Sequence, residues 1–301
     1  MYEEIGQNKR NSVILVIVFA AVLILLGYIF GQVAGFGYFG IILAFIISIV
    51  MALSGYFKGD KIVLAVSRAK PALREEYTQL YNIVEELIIS SGLPMPKLYI
   101  IRDDDAPNAF ATGRDPDHAS IAVTTALLNR LNRAELQGVL AHELSHIGDY
   151  DILFATLIGI MVGMVALMAD FFLRYTFWGG GRRRSSNSSS GGNGVIVILA
   201  LALAILAPIF ALIIQLAVSR QREYLADANA ALMTRYPEGL ASALEKISRD
   251  PGVLEVSNRA TQHLYIINPI KSIRDRKKKS SLFSTHPPVE DRIKRLREMG
   301  E

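Results

Sequence analysis

His142-Glu143-Leu144-Ser145-His146 is the stretch on which the reading of this chain turns. It has the form H-E-x-x-H. On a helix its two histidines stand four residues apart, about one turn, so both imidazoles leave one face. Two nitrogens so placed can hold one zinc ion at about 2.0–2.1 Å each. Glu143 lies beside them, where it can take a proton from water activated by the metal. The pattern points to a metal, a base and a hydrolytic reaction together. The alternative is a chance match on a charged helix, and the flanking residues weigh against it.

Asn132-Arg133-Ala134-Glu135 sets an N-cap residue three positions before a glutamate, the capping-box pattern. Leu136, Val139, Leu140 and Ile147 then recur at helical spacing, which predicts a buried face. Thr125, Ala126, Leu127 and Leu128 predict a short helix before it. The two histidines are therefore expected on a partly buried helix.

A paired-histidine site needs a third protein ligand. The chain has no cysteine, so neither a thiolate ligand nor a disulfide is available. Its five histidines are His118, His142, His146, His263 and His286. The third ligand is one of the remaining three histidines or a carboxylate, and Glu223 is the best candidate. It lies in Arg220-Gln221-Arg222-Glu223-Tyr224-Leu225-Ala226-Asp227. Glu223 and Asp227 share one face of a predicted helix. Glu223 can bind zinc there while Asp227 hydrogen-bonds a ligating imidazole. The plainer alternative is a solvated face of Arg–Glu pairs.

His142–His146, then Glu223-Tyr224-Leu225-Ala226-Asp227, then Ser284-Thr285-His286-Pro287-Pro288 resemble the membrane-bound zinc metallopeptidases of the HtpX group, within the wider M48 or Ste24-like family. Asn108-Ala109-Phe110-Ala111-Thr112-Gly113 resembles a segment that precedes the zinc helix in that family. The likeness runs over nearly the whole chain in order and spacing. It implies one zinc ion per chain held by His142, His146 and Glu223, with Glu143 as the base. It also implies cleavage of misfolded or damaged membrane proteins. The low-complexity stretch near residues 181–194 departs from the family and lies away from the chemistry.

A membrane location follows from the residues alone. No charged residue occurs from Asn11 to Phe57. A bilayer core needs about twenty apolar residues per helix. Val13–Phe30 and Tyr38–Phe57 each fit, with Gly31–Gly37 as the turn of a hairpin. Ile152–Ala169 opens a third run, in a span of about 152–175, and Val195–Val218 is a fourth. Pro208 inside the fourth is tolerated in a membrane helix. No cleaved leader is expected, because the second run follows the first at once. The alternative for the last two runs is a pair of core helices.

Lys9 and Arg10 precede the first run, and Lys58, Lys61, Arg68 and Lys70 follow the second. The positive-inside rule puts both ends of that hairpin in the cytoplasm. Arg182-Arg183-Arg184, between the third and fourth runs, point the other way. Either the first hairpin dominates, the favoured reading, or the last two runs enter the bilayer without crossing. His146 lies six residues before Ile152, and Glu223 five after Val218. At about 1.5 Å per residue each stands roughly 8–9 Å beyond a membrane helix, so both reach one ion if the two runs return to the same side.

The expected architecture is a mainly α integral membrane protein, with an α+β zincin-like metallopeptidase domain joined to four transmembrane helices. Residues 1–57 form the first hairpin and 58–151 a cytoplasmic catalytic part. Residues 152–218 form the second hairpin, with a flexible Gly/Ser/Asn-rich loop at 179–194. Residues 219–301 return as a second catalytic part. Glu75–Ser90 reads as an amphipathic helix, Lys97–Arg102 and Ala119–Thr124 as strands, and Asn108–Gly113 as an edge strand between them. The formal charge of +4 and sequence pI near 9.2 suit proximity to anionic lipid. Arg274–Lys279 is read as a solvated or headgroup-facing loop, and no nucleic-acid partner is expected.

His286 is a candidate donor to the oxyanion of the reaction, or else a packed loop histidine. Asn108 and Ala109 are candidates for an exposed strand edge that takes an extended substrate, or else an ordinary turn. His118 reads as a surface turn residue and His263 as structural. The expected activity is zinc-dependent peptide hydrolysis at the cytoplasmic face of the cell (inner or plasma) membrane. Two alternatives remain: a zinc hydrolase of a lipid-linked, non-peptide substrate, and a membrane scaffold with structural zinc. Glu143 argues against the scaffold, since a closed structural site needs no base.

Overall fold

The computed structural model describes residues 2–33, 37–103, 105–161, 220–250, 264–266 and 287–300. Two helices within them are long and apolar enough to cross a membrane: α1 (Tyr2–Val33) and α2 (Phe39–Val66). They pack together, and each buries one stripe. On α1 the stripe is Leu15, Phe19 and Leu23; on α2 it is Gly40, Ala44 and Ser48. Small residues every fourth position let helix backbones approach closely. The remaining faces expose Ile42, Phe45, Ile49, Leu53 and Phe57, among others, which suits lipid better than water.

Both helices outrun the spans read from composition. α1 is already helical from Tyr2, and α2 continues past Phe57 through Lys58, Asp60 and Lys61 to Val66. Charge ends a span but not a helix. The end of α2 buries Val63 and Leu64 against Ile101, Phe110, Ala122 and Tyr265, so one rod joins the apolar region to the sheet.

The sheet has four strands: β1 (Lys70–Pro71), β2 (Lys97–Ile101), β3 (Ala109–Gly113) and β4 (Ala119–Thr124), in the order β1-β2-β4-β3. β4 runs parallel to β2 and antiparallel to β3. β3 is an edge strand as expected, but it lies beyond β4 and not between β2 and β4. The five-residue link from Gly113 to Ala119 turns at Asp115–His118 and permits only an antiparallel return. α3 (Thr78–Ser91), ended by left-handed Gly92, and α5 (Arg133–Gly148) pack around one core with the sheet. α4 (Thr125–Arg130) is the short helix anticipated before α5.

α5 begins on the expected capping box. Asn132 Oδ1 accepts from Glu135 N–H, and Glu135 Oε2 accepts from Asn132 N–H, each at 2.9 Å. α5 ends at a corner with Tyr150 at φ 61°, and α6, described over Asp151–Met161, leaves at 87°. This start of the third apolar run is mostly buried, and a Cβ on Gly59 of α2 would meet Thr156 Cγ2 at 2.7 Å. The rest of that run, Val195–Val218, residues 179–194, Arg182–Arg184, Arg274–Lys279 and His263 lie outside the described residues. The chain returns as α7 (Arg220–Thr234), α8 (Pro237–Arg249) and α9 (Val289–Glu298). α7 and α8 pack along α5, and α9 closes over both.

α5 and α8 meet backbone to backbone. A Cβ on Gly138 would stand 2.6 Å from Leu240 N, whereas one on Gly148 in the same helix meets nothing nearer than Leu93 Cδ1 at 3.5 Å. Helix propensity favours alanine at both by roughly 0.5–1 kcal/mol. Gly148→Ala should therefore leave thermal stability level or raise it. Gly138→Ala should lose about 1–3 kcal/mol through forced separation of the helices. Equal denaturation midpoints for the two variants would refute the close crossing.

Candidate metal centre and active site

His142 and His146 project from one face of α5, and Glu223 enters from the first turn of α7. The two Nε2 atoms are 3.2 Å apart. Glu223 Oε2 is 3.7 Å from His142 Nε2, and its Oε1 is 3.7 Å from His146 Nε2. Ligand atoms on a tetrahedral ion with bonds of about 2.0–2.1 Å stand roughly 3.3–3.4 Å from one another. One ligand atom from each of the three residues lies within 4.8 Å of the others, so Glu223 must close toward the rings for all three to share such an ion.

Carboxylates on the far side of each ring define its tautomer. Asp227 Oδ1 lies 3.0 Å from His142 Nδ1, and Asp151 Oδ2 lies 3.1 Å from His146 Nδ1. Each Nδ1–H donates outward, which turns both Nε2 lone pairs toward each other and toward Glu223. Three acceptors that face one another in a buried site repel unless a cation or proton stands among them.

The protonation states follow this arrangement. Burial pushes His142 down to about 4, against the pull of Asp227. Burial also disfavours a charged His146, but the hydrogen bond to Asp151 and the Glu223 charge outweigh it and raise this group to about 9. Burial drives Glu143 up to about 7, although the Ala111 N–H bonds its carboxyl.

Arg292 of α9 is wholly buried. Its Nε donates to Asp227 Oδ2 at 2.8 Å and its Nη2 to Asp227 Oδ1 at 2.7 Å. Burial of Asp227 opposes its charge, yet Arg292 holds it down at about 2. Arg292 Nη1 also stands 3.4 Å from Glu223 Oε2 and donates to Ile266 O. One guanidinium thus ties α7, α9 and the 264–266 segment to the site.

The structure brings together His142, Glu143, His146, Glu223 and Asp227. It does not leave an open edge at Asn108 and Ala109. Both are buried, the Ala109 carbonyl accepts from Ile266 N–H at 3.1 Å, and the Ala109 N–H bonds Asn108 Oδ1. Leu264–Ile266, remote in sequence, folds along β3 there. The strand edge meets the site at Ala111 instead. His286 lies outside the described residues, although buried Pro287 follows it. His118 is an exposed turn residue paired with Asp115, as anticipated. Asp151, Arg292 and Asn8, which bonds Asp151, were not anticipated. Asp151 sits five residues past His146 at a helix break and carries no motif of its own. Arg292 reads as one more charge in Val289–Glu298, whose other basic residues are surface groups.

Residues 74–300 match Peptidase family M48. The chain belongs to this family. This M48 chain is 45% identical over 300 residues to a "Protease HtpX homolog" of Dictyoglomus thermophilum, covering 100% of this chain and 95% of that protein. It is 44% identical over 299 residues to a "Protease HtpX homolog" of Thermoanaerobacter pseudethanolicus, covering 99% and 98%. Its fold resembles the crystal structure of S. mikatae Ste24p, with a TM-score of 0.50 and 20% identity over 98% of this chain and 67% of that one. The M48 chain is a membrane-associated metalloprotease that acts on peptide or protein substrates, mostly helical and Ste24-like in fold.

His146 gives the metal-free protein a pH signature. Its raised folded value means that it stabilises fully below its ordinary 6.5 and loses that contribution as pH rises through about 9. Glu143 completes its own change near 7. The metal-free protein should therefore fall in thermal midpoint between about pH 7 and 9. Metal in the cluster should remove that fall, as should His146→Gln. An unchanged slope in His146→Gln would mean that another group carries it.

Proposed function

We propose that this protein is an integral membrane zinc endopeptidase, with its site on the cytoplasmic face, that cleaves misfolded or damaged membrane proteins. The observation that carries the reading is the triangle of two Nε2 atoms and one carboxylate, with the Glu143 carboxyl buried beside it. Two histidines, one glutamate and no cysteine make a donor set typical of catalytic zinc, with one position left open. His142, His146 and Glu223 hold the ion, and Asp227 and Asp151 keep the two rings in the ligating tautomer. When bound, zinc polarises the scissile carbonyl and lowers the pKa of water.

Glu143 takes the proton of the attacking water and passes it to the leaving amine. Burial raises its affinity for that proton above that of an ordinary carboxylate. The Ala111 N–H orients its carboxyl. Ala111 alternates with Phe110, so its carbonyl leaves β3 on the side away from β4, as its N–H does, and is the acceptor assigned to an extended substrate. The substrate edge assigned from sequence to Asn108 and Ala109 is extended in this reading to Ala111. His286 donates to the developing oxyanion.

The membrane arrangement has four crossings, with both termini and the site on the cytoplasmic side of a cell membrane. Its supports are the two apolar helices, the basic flanks of the first hairpin, and the need for His146 and Glu223 to meet on one side.

In detergent, Glu143→Gln should keep about one zinc per chain and lose nearly all proteolysis of an unfolded model protein. Glu223→Ala should lose most of the zinc. Full zinc in Glu223→Ala, or brisk cleavage by Glu143→Gln, would remove the mechanism. Lipid-linked esters offered alongside peptides test the non-peptide alternative.

Reporter fusions near positions 34, 120 and 187 and at the C-terminus read the sidedness. Internal signals are expected near 120 and at the C-terminus, and external ones near 34 and 187. An external signal near 120 overturns the orientation. An internal one near 187 makes the last two runs re-entrant.

A further inference from the structure

Asn8 is an unusual residue for its place. It sits in the first turns of a helix whose later faces are lipid-like, yet it is only 3% exposed. A buried amide is costly unless its hydrogen bonds are made. Asn8 Nδ2 makes two: 2.8 Å to the Asp149 carbonyl and 2.6 Å to Asp151 Oδ1. The next residue, Lys9, places its ammonium 4.1 Å from the centre of the Tyr150 ring. The N-terminal end of α1 thus grips three consecutive residues, Asp149, Tyr150 and Asp151.

Those three residues are the corner between α5 and α6. Tyr150 takes a left-handed φ of 61° that a bulky residue adopts only under constraint. The corner decides where Asp151 points. With Oδ1 held by Asn8, the other oxygen, Oδ2, faces His146 Nδ1 at 3.1 Å. We propose that Asn8 is a positioning residue for the metal centre: by fixing Asp151 it holds His146 in the ligating tautomer, so that docking of the first membrane helix sets metal affinity. The inference rests on His146 being a ligand, as set out under Proposed function.

Asp151 has a competing partner. Arg222 Nε stands 3.6 Å from the same Oδ1. Without the Asn8 amide the carboxylate swings toward Arg222 and away from His146. The imidazole can then carry its proton on Nε2, the atom the metal needs. The expected consequence is weaker metal binding without loss of the fold.

The test uses full-length protein in detergent and measures zinc affinity by competition with a chelator. Asn8→Leu and Asp151→Ala should each weaken zinc by about 10–100-fold, the usual range for partners of ligating histidines. The double variant should bind no worse than Asp151→Ala alone, because the two residues act in series. Asn8→Gln keeps the amide on a longer stem and should recover much of what Asn8→Leu loses. The thermal midpoint of the metal-free protein identifies folded samples, and Asn8→Ser replaces Asn8→Leu if leucine is not accommodated. Wild-type affinity in Asn8→Leu beside weakened Asp151→Ala overturns the proposal and leaves α1 as an anchor only. Losses that multiply in the double variant overturn it too. Retained zinc in His146→Ala is a different failure, since it removes the ligand assignment itself.

Discussion

The site depends on one electrostatic conflict. Two imidazole lone pairs and a carboxylate converge within 4.8 Å of one another. Nothing in bulk water would hold them there, because each would turn to a solvent proton. The outer partners force the arrangement: Asp227 and Asp151 each take the Nδ1–H of one ring, so in the neutral ring Nε2 is left as the acceptor. The resulting cluster of acceptors accommodates a cation. In the metal-free protein the raised value of His146 is the same demand met by a proton.

Holding such a cluster requires buried charge elsewhere. Asp227 could not remain ionised beside His142 if it stood alone in the core. Arg292 resolves this with a two-pronged bond, and it reaches the site only because α9 folds back over α7. The chain therefore contributes to the centre from several places: α5 with the ring nitrogens, α6 with Asp151, α7 with Glu223 and Asp227, and α9 with the compensating cation. The capping box of α5 stiffens the same assembly from the far end, since Glu135 also accepts from Ser242 and Lys246 on α8.

Local rules made much of this legible in the sequence. The one-turn spacing of His142 and His146, the Asn132–Glu135 cap and the four-residue step from Glu223 to Asp227 all express helical period, which a linear reading can measure. Of the four apolar runs, the first two form helices long and apolar enough to cross a membrane, a feature composition alone can announce because it needs no partner. What escaped was set by tertiary approach. Leu264–Ile266 covers Ala109 across more than 150 residues of chain, and no local pattern forecasts that contact. Arg292 resembles its exposed neighbours until the fold buries it. Asn8 stands just before the uncharged run from Asn11, where a lone amide carries no local pattern of its own.

The corner at Asp149–Asp151 joins the first apolar helix to the helix that carries the paired histidines. α5 carries the histidines, and α6, which begins the third apolar run, leaves it at 87°. A turn that sharp must be fixed in direction, or the carboxylate at its far side could not stay on His146. The fixing groups come from α1, through Asn8 and Lys9, and from α2, whose Gly55 and Gly59 let α6 pack close. The two apolar helices thus do more than tether the protein. They form the rigid wall against which the corner is set, and the geometry of the metal centre is continuous with theirs.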